Sequence, residues 1–365
     1  FINYVEKRMI SLETFINKNT QPKPEPCSFC DYCNYRSHCK KIWKTEKSIF
    51  EISGVTRNQV LKLSNAGINN LEELINAKEV VSNFHNTIFE KLKLKARLRF
   101  KRLNGGEPEY KIISGDRSGV VDFLPKENSN DLYFDIEGDP LFDEGLEYLF
   151  GFVVGNQKSS SFKSIWAHNK YEEKKAAKEV ITFLYNHCEQ NPNAHIYHYN
   201  SYEVTALRRL SQKYAVLEEE LDTLLRAERF VDLYKFIQKT IVTSEKGLSL
   251  KDLEVFFIGK RTDDVVDAAS SVVMYEKWRD NNDPNILKDI ETYNEQDCRS
   301  MPIMRKWLEE TVFENRIQHR LPRDFISTNG NNEPEDVFDN EDEAFANAIS
   351  TYHKRGQKPY WWKFF

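Results

Sequence analysis

The chain has 365 residues, of which 40% are hydrophobic and 30% charged, a composition typical of a globular protein rather than a disordered one. No apolar run approaches the roughly 20 residues that a membrane-spanning helix needs, and the first residues lack the pattern of a secretory signal. We therefore expect a soluble, cytoplasmic protein of two or three domains, with no membrane partner.

The net charge of −5 is unevenly distributed along the chain. Residues 1–105 carry 19 Lys and Arg against 10 Asp and Glu, a net charge of +9, which leaves −14 for residues 106–365. A basic front joined to an acidic rear is expected when one part holds phosphate and the other holds metal. In the alternative interpretation, the basic run from Lys91 to Arg102 is only the solvated face of a helix.

Four cysteines lie close together after the first predicted helix. The first 17 residues have apolar side chains near helical spacing, and three prolines then end that helix. The cysteines are Cys27, Cys30, Cys33 and Cys39. In a cytosolic protein this density favours a metal site over disulfides, and four thiolates can bind Zn²⁺ or a [4Fe–4S] cluster. Cys27 is either a ligand or a bystander, His38 is a weaker alternative ligand, and fully reduced structural cysteines are a third interpretation.

The region 51–105 contains a predicted helical hairpin followed by the basic segment. Two short helices are joined by a turn at Gly67, and Thr56 is the expected N-cap of the first. This arrangement resembles a helix-hairpin-helix unit, whose turn can present backbone amides to a DNA phosphate; a plain hairpin used for packing is the alternative. Residues 88–103 fit both strand and helix periods, and the lack of β-branched residues from Phe89 onward favours a helix.

From about Tyr110 the sequence changes to short apolar runs bounded by Gly, Pro, Asn and Asp, which predicts strands. The predicted strands are 112–113, 120–123, 132–135, 148–154, 161–166 and 195–199. The predicted helices are 172–188, 202–214, 230–240, 250–257 and 286–310, and Pro302 can kink or break the last of them. The acidic segment 329–343 predicts a mobile linker, followed by an amphipathic helix and the aromatic end of the chain.

Five residues of the second half form a candidate catalytic site. Asp135 and Glu137 end a predicted strand, where residues two apart project from the same face. Glu203 begins a helix directly after another predicted strand, and Tyr293 and Asp297 lie four apart on one helical face. Two-metal phosphoryl transfer needs several carboxylates around two ions roughly 4 Å apart. The ends of these strands and helices can supply them.

Other acids of this region receive different interpretations. Asp139 and Asp143 follow the Asp-x-Glu pair closely and are interpreted as loop acids. For Asp232, a packing or capping role is favoured over a place in the site.

The order of these motifs resembles the DEDDy branch of the DnaQ-like 3′–5′ exonucleases. The longer motifs at 135–140, 197–203, 231–233, 249–251 and 293–298 look like those of bacterial RecB-like nucleases that carry an RNase H-like domain and continue into a superfamily 1 helicase. The resemblance implies that two Mg²⁺ or Mn²⁺ are bound by four acids and that a tyrosine orients the attacking water. In this chain the acids are Asp135, Glu137, Glu203 and Asp297, and the tyrosine is Tyr293. The wider family usually has Asp where this chain has Glu203.

The cysteine spacing carries a second resemblance. Cys30-x-x-Cys33-x5-Cys39 looks like the C-terminal cysteine triplet of iron–sulfur nucleases of the RecB-like superfamily, in which the first ligand lies far upstream. It implies a [4Fe–4S] cluster in the intact protein, with Zn²⁺, a damaged cluster or an empty site as alternatives for this chain. Because the chain begins without Met and ends on Tyr360-Trp361-Trp362-Lys363-Phe364-Phe365, we expect a fragment of a longer protein.

Together these observations predict an α/β protein with an RNase H-like mixed sheet flanked by helices, preceded by a small, mainly α-helical region. The expected domains are the tail of a RecB-like nuclease with the cysteine cluster (1–50), a helix-hairpin-helix-like basic region (51–105), an RNase H-like exonuclease domain (106–325), and a linker and helix leading to a helicase (326–365). The expected function is 3′–5′ exonuclease action on single-stranded DNA or duplex ends, within a helicase–nuclease of DNA repair or defence. The alternatives are a non-catalytic DNA-binding connector between an upstream nuclease and a downstream motor, and a structure-specific or RNA-directed nuclease with the same site.

Overall fold

A computed structural model describes residues 2–18, 23–27, 29–30, 33–82, 84–113, 121–155, 161–259, 268–314 and 317–320. The predicted linker, last helix and closing aromatic run lie outside these residues. The chain forms two compact units, Phe1–Gly106 (unit 1) and Glu107–Phe365 (unit 2). None of the described helices is both long enough and apolar enough to cross a membrane.

The described part of unit 1 is helical, as its apolar spacing predicts. Its helices are α1 (Ile2–Asn17), α2 (Arg36–Thr45), α3 (Arg57–Asn65), α4 (Leu71–Asn76) and α5 (Asn86–Leu103). The predicted N-cap is confirmed, because the Thr56 side chain accepts from Gln59 N and the Gln59 side chain accepts from Thr56 N. Gly67 follows α3 with φ of +80°, a conformation that glycine adopts without strain.

Helix α5 uses part of its positive charge inside unit 1. Lys95 Nζ donates to the carbonyl oxygen of Ser53 at 2.6 Å, and Arg99 forms an ion pair with the buried Glu51 at 2.7 Å. Burial lowers the pKa of Lys95 to about 8. These two cations therefore hold α5 against residues 51–53. The interpretation of the basic run as a solvated helix face is wrong for Lys95 and Arg99.

Unit 2 contains a mixed sheet flanked by helices. Its described strands are β1 (Tyr110–Ile112), β2 (Val121–Pro125), β3 (Leu132–Asp139), β4 (Leu146–Val154), β5 (Phe162–Trp166), β6 (Ile196–His198), β7 (Phe230–Asp232), β8 (Ile241–Thr243) and β9 (Ile317–Arg320). Its described helices are α6 (Lys170–Gln190), α7 (Tyr202–Tyr214), α8 (Glu218–Arg226), α9 (Leu233–Thr240), α10 (Leu250–Glu254), α11 (Ala268–Asn281) and α12 (Pro284–Lys306).

The order of the five-stranded sheet is β5-β4-β3-β6-β7. β3 pairs antiparallel with β4 and parallel with β6, while β4–β5 is antiparallel and β6–β7 is parallel. Outside this sheet, β1 pairs antiparallel with β8, and β2 pairs parallel with β9. The strand β3, which carries the predicted Asp-x-Glu pair, thus lies at the centre of the mixed sheet.

The two faces of β3 pack against different helices. Leu132, Phe134 and Ile136 lie in a core formed with α6, α7 and α8. Tyr133 lies in the core on the opposite face, which contains residues of α9, α10 and α12. Since side chains alternate along a strand, Asp135 and Glu137 project on the same side as Tyr133, toward α12.

The structure corrects three details of the predicted elements. Residues 230–240 begin with strand β7, because Val231 pairs with Tyr197 of β6 before α9 starts. Helix α12 continues through Pro302, which is buried, and passes into a π-helical turn at Trp307–Val312. Helix α11 was not predicted, since its sequence mixes small, β-branched and aromatic residues without a clear apolar stripe.

Candidate metal centre

Three of the predicted site acids meet at one point beside the central strand. Asp135 and Glu137 of β3 and Asp297 of α12 each offer a carboxylate oxygen, and these oxygens lie within 4.8 Å of one another. Among the residues that the structure describes, no other group of three or more His, Cys, Asp or Glu has such an arrangement. The period of the strand and the packing of α12 on its face therefore create a compact acidic cluster.

The fourth predicted acid, Glu203, lies in the first turn of α7 at the edge of this cluster. Its carboxyl group is within hydrogen-bonding reach of Asp135, although Glu203 is not one of the three grouped acids. His198 Nδ1 lies 3.3 Å from Glu203 Oε2 and 2.5 Å from the carbonyl oxygen of Asn200. Because a carbonyl oxygen only accepts, that Nδ1–H donates to Asn200. Within the described part of the chain, the buried Glu203 Oε2 accepts no hydrogen bond.

Tyr293 lies one helical turn before Asp297 on α12 and is only 8% exposed. Burial raises the pKa of Tyr293 well above its usual range, and the negative charges of Asp297, Glu137 and Asp135 add to the shift. Its hydroxyl group, which is hydrogen-bonded to Asp297, therefore keeps its proton at neutral pH. The structure thus places all five predicted site residues in one region of unit 2.

The crowded acids perturb one another's protonation. Burial raises the pKa of Glu137 to about 8, with a further contribution from the negative charge of Asp297. Burial, together with the charges of Glu137, Glu203 and Asp297, raises the pKa of Asp135 well above its usual range. Such buried like charges are costly when unpaired, and a bound cation removes that cost. An all-oxygen set of this kind is what Mg²⁺ and Mn²⁺ prefer, so the residues present fit these ions.

Three further side chains interact with the acids, two through hydrogen bonds and one through its charge, and the sequence does not mark them as functional. Asn294 Nδ2 donates to Asp135 Oδ2 at 2.6 Å, and Ser271 Oγ donates to Glu137 Oε2 at 2.7 Å. The positive charge of Lys251 lowers the pKa of Glu137. Asn294 and Lys251 fall within motifs that carry the family resemblance, whereas Ser271 lies in the unpredicted helix α11 and no sequence signal marks it.

Two other acids have structural roles. Asp232 caps α9 by accepting from Lys235 N at 3.1 Å, which confirms the predicted capping role. Asp139 is wrongly interpreted as a loop acid, because it is the last residue of β3 and is almost fully buried. A turn follows directly after β3, and in it Leu141 N donates to Asp139 Oδ1 at 2.8 Å.

Two of the four clustered cysteines, Cys27 and Cys30, lie close together. Cys27 Sγ and Cys30 Sγ lie 3.9 Å apart, and Cys27 N donates to Cys30 Sγ at 3.2 Å. That separation is close to the ~3.8 Å between two thiolates on one tetrahedral Zn²⁺ with bonds of about 2.3 Å. Cys33 and Cys39 form no three-sulfur group with them in the described residues. The structure therefore brings together two of the four predicted thiolate ligands.

The mixed α/β sheet with flanking helices, and an acidic cluster on its central strand, define an RNase H-like domain with a nuclease-type fold. A family model described as RNase_H_2, of the RNase_H superfamily, matches residues 132–309. No curated protein and no solved structure matches the chain. The matched segment includes all five predicted site residues, and the predicted fold class is confirmed. Domains of this superfamily use divalent metals, in agreement with the oxygen ligands of the acidic cluster.

Proposed function

We propose that residues 132–309 form a two-metal-ion nuclease that removes nucleotides from the 3′ end of DNA. The observation that carries this proposal is the group of carboxylate oxygens from Asp135, Glu137 and Asp297, which lie within 4.8 Å of one another in an RNase H-like domain. Several carboxylates around one point are the requirement of two-metal phosphoryl transfer. Glu203 and Tyr293 complete the set of four acids and a phenol.

Each residue has a distinct role in this proposal. Asp135, Glu137, Glu203 and Asp297 hold two Mg²⁺ or Mn²⁺, which when bound lower the pKa of a water molecule and stabilise the leaving oxygen. Tyr293 keeps its proton, because burial and the acids raise its pKa. Its hydroxyl group donates that proton to Asp297, and its oxygen is able to orient this water by accepting a hydrogen bond from it.

The finer parts of the proposal depend on the motif resemblance. It favours the DEDDy class, 3′–5′ polarity, DNA as substrate, and a place in a helicase–nuclease with an upstream RecB-like domain. It also favours a [4Fe–4S] cluster at the cysteines, with Zn²⁺ as the alternative. The close approach of Cys27 Sγ and Cys30 Sγ supports a shared metal, and with it the assignment of Cys27 as a ligand.

The test is digestion of single-stranded DNA labelled at the 5′ or the 3′ end, by the whole chain with Mg²⁺ or Mn²⁺. A 3′–5′ exonuclease gives a ladder from the 5′ label and mononucleotides from the 3′ label. We expect Asp135→Asn and Asp297→Asn to lower the rate by at least about 10²-fold, since each removes a metal ligand. Asp289→Asn is the matched control, because Asp289 is an exposed acid of the same helix as Asp297 and its loss leaves the rate unchanged.

The alternative functions give different results in this assay. A non-catalytic DNA-binding connector binds the labelled strand without degrading it, and the acidic variants bind it as the wild type does. A labelled RNA strand and a circular DNA, tested in parallel, distinguish an RNA-directed or an endonucleolytic enzyme. Degradation that persists in both Asp variants overturns the assignment of the site.

A further inference from the structure

The two β3 carboxylates of the acidic cluster, Asp135 and Glu137, are each held by a buried side chain from a different helix. Asn294 of α12 donates to Asp135, and Ser271 of α11 donates to Glu137, at 2.6 and 2.7 Å. Asn294 is fully buried and Ser271 is 5% exposed. One oxygen of each carboxylate is thus occupied by a neutral donor, in a cluster that otherwise consists mainly of like charges.

The position of Asn294 depends on a notch in the neighbouring strand. Gly151 of β4 lies opposite Asp135 in the β3–β4 pairing. A side chain at Gly151 would meet the amide oxygen of Asn294. That amide oxygen is buried and accepts no hydrogen bond within the described residues, so the contact to Asp135 through Nδ2 is the polar interaction that the structure records for this side chain.

Ser271 belongs to a hydrogen-bond chain with a fixed direction. Tyr148 OH donates to Ser271 Oγ at 3.3 Å, and Ser271 Oγ donates to Glu137 Oε2. A hydroxyl group that accepts from Tyr148 directs its own proton toward the carboxylate. The direction of these two hydrogen bonds therefore favours the ionised form of Glu137, since a carboxylate only accepts hydrogen bonds. The ionised carboxylate is also the form that binds a cation.

We propose that Asn294 and Ser271 are positioning residues that orient Asp135 and Glu137 for metal binding. Neutral donors to a carboxylate restrict its rotation and stabilise its charged form without competing as ligands. The inference rests on the proposed function, because it takes the acidic cluster to be a site for divalent cations. It adds α11 to the elements that build the site, and it gives α12 a second role besides supplying Asp297.

The test measures binding of Mn²⁺ alone to the whole chain, by the electron paramagnetic resonance signal of the free ion. Loss of an oriented contact to a metal ligand typically costs 10- to 100-fold in metal affinity. We expect losses of about that size for Asn294→Ala and for Ser271→Ala. Ser271→Thr keeps the hydroxyl group and should restore most of the affinity.

The matched control is Ser300→Ala. Ser300 lies on α12, is buried, and donates to Glu254 Oε1 at 2.7 Å, so it makes a similar bond outside the acidic cluster. Thermal unfolding with EDTA should show comparable stability losses for S271A and S300A, whereas Mn²⁺ affinity should fall only for S271A. If N294A does not fold, S271A and S300A still decide the question.

The possible failures are distinguishable. A wild-type chain that binds no Mn²⁺ overturns the metal site and the proposed function together. A wild type that binds Mn²⁺ while N294A and S271A bind it equally well overturns the positioning roles alone. Equal losses of Mn²⁺ affinity in S271A and S300A also overturn them, because that result reports a general loss of structure.

Discussion

Lys251 places a positive charge beside the acidic cluster, over the ring of Tyr293. Its Nζ lies 4.4 Å from the centroid of the Tyr293 ring. A cation at this position can contact a substrate phosphate, so we expect Lys251→Ala to raise the KM for DNA about tenfold, a magnitude typical of a lost charge-assisted hydrogen bond. Steady-state kinetics at fixed Mn²⁺ measures this effect.

Lys306→Ala is the control for that measurement. Lys306 is an exposed lysine of α12 whose Nζ lies 3.9 Å from a carboxylate oxygen of the exposed Glu310. Its removal changes net charge by the same amount without touching the cluster. Equal effects of both substitutions on KM would show that only the overall charge matters.

At the residue scale, the sequence identifies the proposed metal ligands better than the side chains that hydrogen-bond to them. Asp135 and Glu137 are recognisable because the two-residue period of a strand places them on one face. Tyr293 and Asp297 are recognisable by their helical spacing. Ser271 is not, because its contact to Glu137 spans 134 positions of the chain and depends on how α11 packs.

At the scale of elements, the approach of α12 to β4 depends on the absence of a side chain at Gly151. A methyl group there would overlap the amide of Asn294, so Gly151→Ala must displace α12 or the amide. Overpacking of this kind typically costs about 1–3 kcal/mol. We expect that loss in the free energy of unfolding measured with urea, together with weaker Mn²⁺ binding.

Gly145→Ala is a useful comparison for Gly151→Ala. Gly145 lies in the turn before β4 with φ of +66°, and an added Cβ there meets only a backbone oxygen at 3.8 Å. Its substitution therefore costs stability through backbone strain but leaves α12 in place. Mn²⁺ affinity that falls equally in both variants would contradict the role assigned to the notch.

The capping box of α3 makes a separate prediction for unit 1. Thr56→Ala removes the acceptor for Gln59 N and should lower the free energy of unfolding by about 1 kcal/mol. Thr292→Ala, at an exposed position inside α12, is the contrast, since Ala is the better helix former there. Urea denaturation compares the two, and an equal loss in both would rule out a specific effect of the cap.

Helices and strands were predictable where one physical signal dominates. Helix α7 has its predicted bounds, and α5 is helical because Phe89, Leu92 and Ala96 form a buried stripe. The sequence pattern predicts a helix from residue 230, where the structure has strand β7. Its three residues are too few to show a strand period, and only pairing with β6 makes them a strand. Long-range pairing is invisible to local periodicity.

At the scale of the whole molecule, the two units differ in how they use charge. Unit 1 places cations such as Lys95 and Arg99 in internal contacts, so its positive charge is not all available to a polyanion. Unit 2 concentrates buried acids at one site. Part of the excess charge of each unit is therefore used inside that unit, by Lys95 and Arg99 in unit 1 and by the acidic cluster in unit 2.

The buried acids also predict how stability depends on pH when no metal is present. Burial raises the pKa of Glu137 from 4.5 to about 8 in the folded chain. Between these values the folded state retains a proton that the unfolded state has lost, so stability contributed by the protonated form disappears as the pH rises toward about 8. The buried Asp131, with a pKa raised to about 6, acts in the same direction over a lower range.

We therefore expect the free energy of unfolding in EDTA to fall by an amount on the order of a few kcal/mol between about pH 5 and pH 8. Glu137→Gln removes one titrating group and should flatten part of this slope, with the remainder due to Asp135 and Asp131, whose pKa values burial also raises. Glu310→Gln, at a carboxylate 58% exposed, should keep the wild-type slope. Mn²⁺ should stabilise the wild type most at the higher pH. There the buried carboxylates have lost their protons, and the bound ion offsets the repulsion between their negative charges. A wild-type stability that rises with pH in EDTA would contradict burial of these carboxylates and, with it, the charge balance on which the metal centre depends.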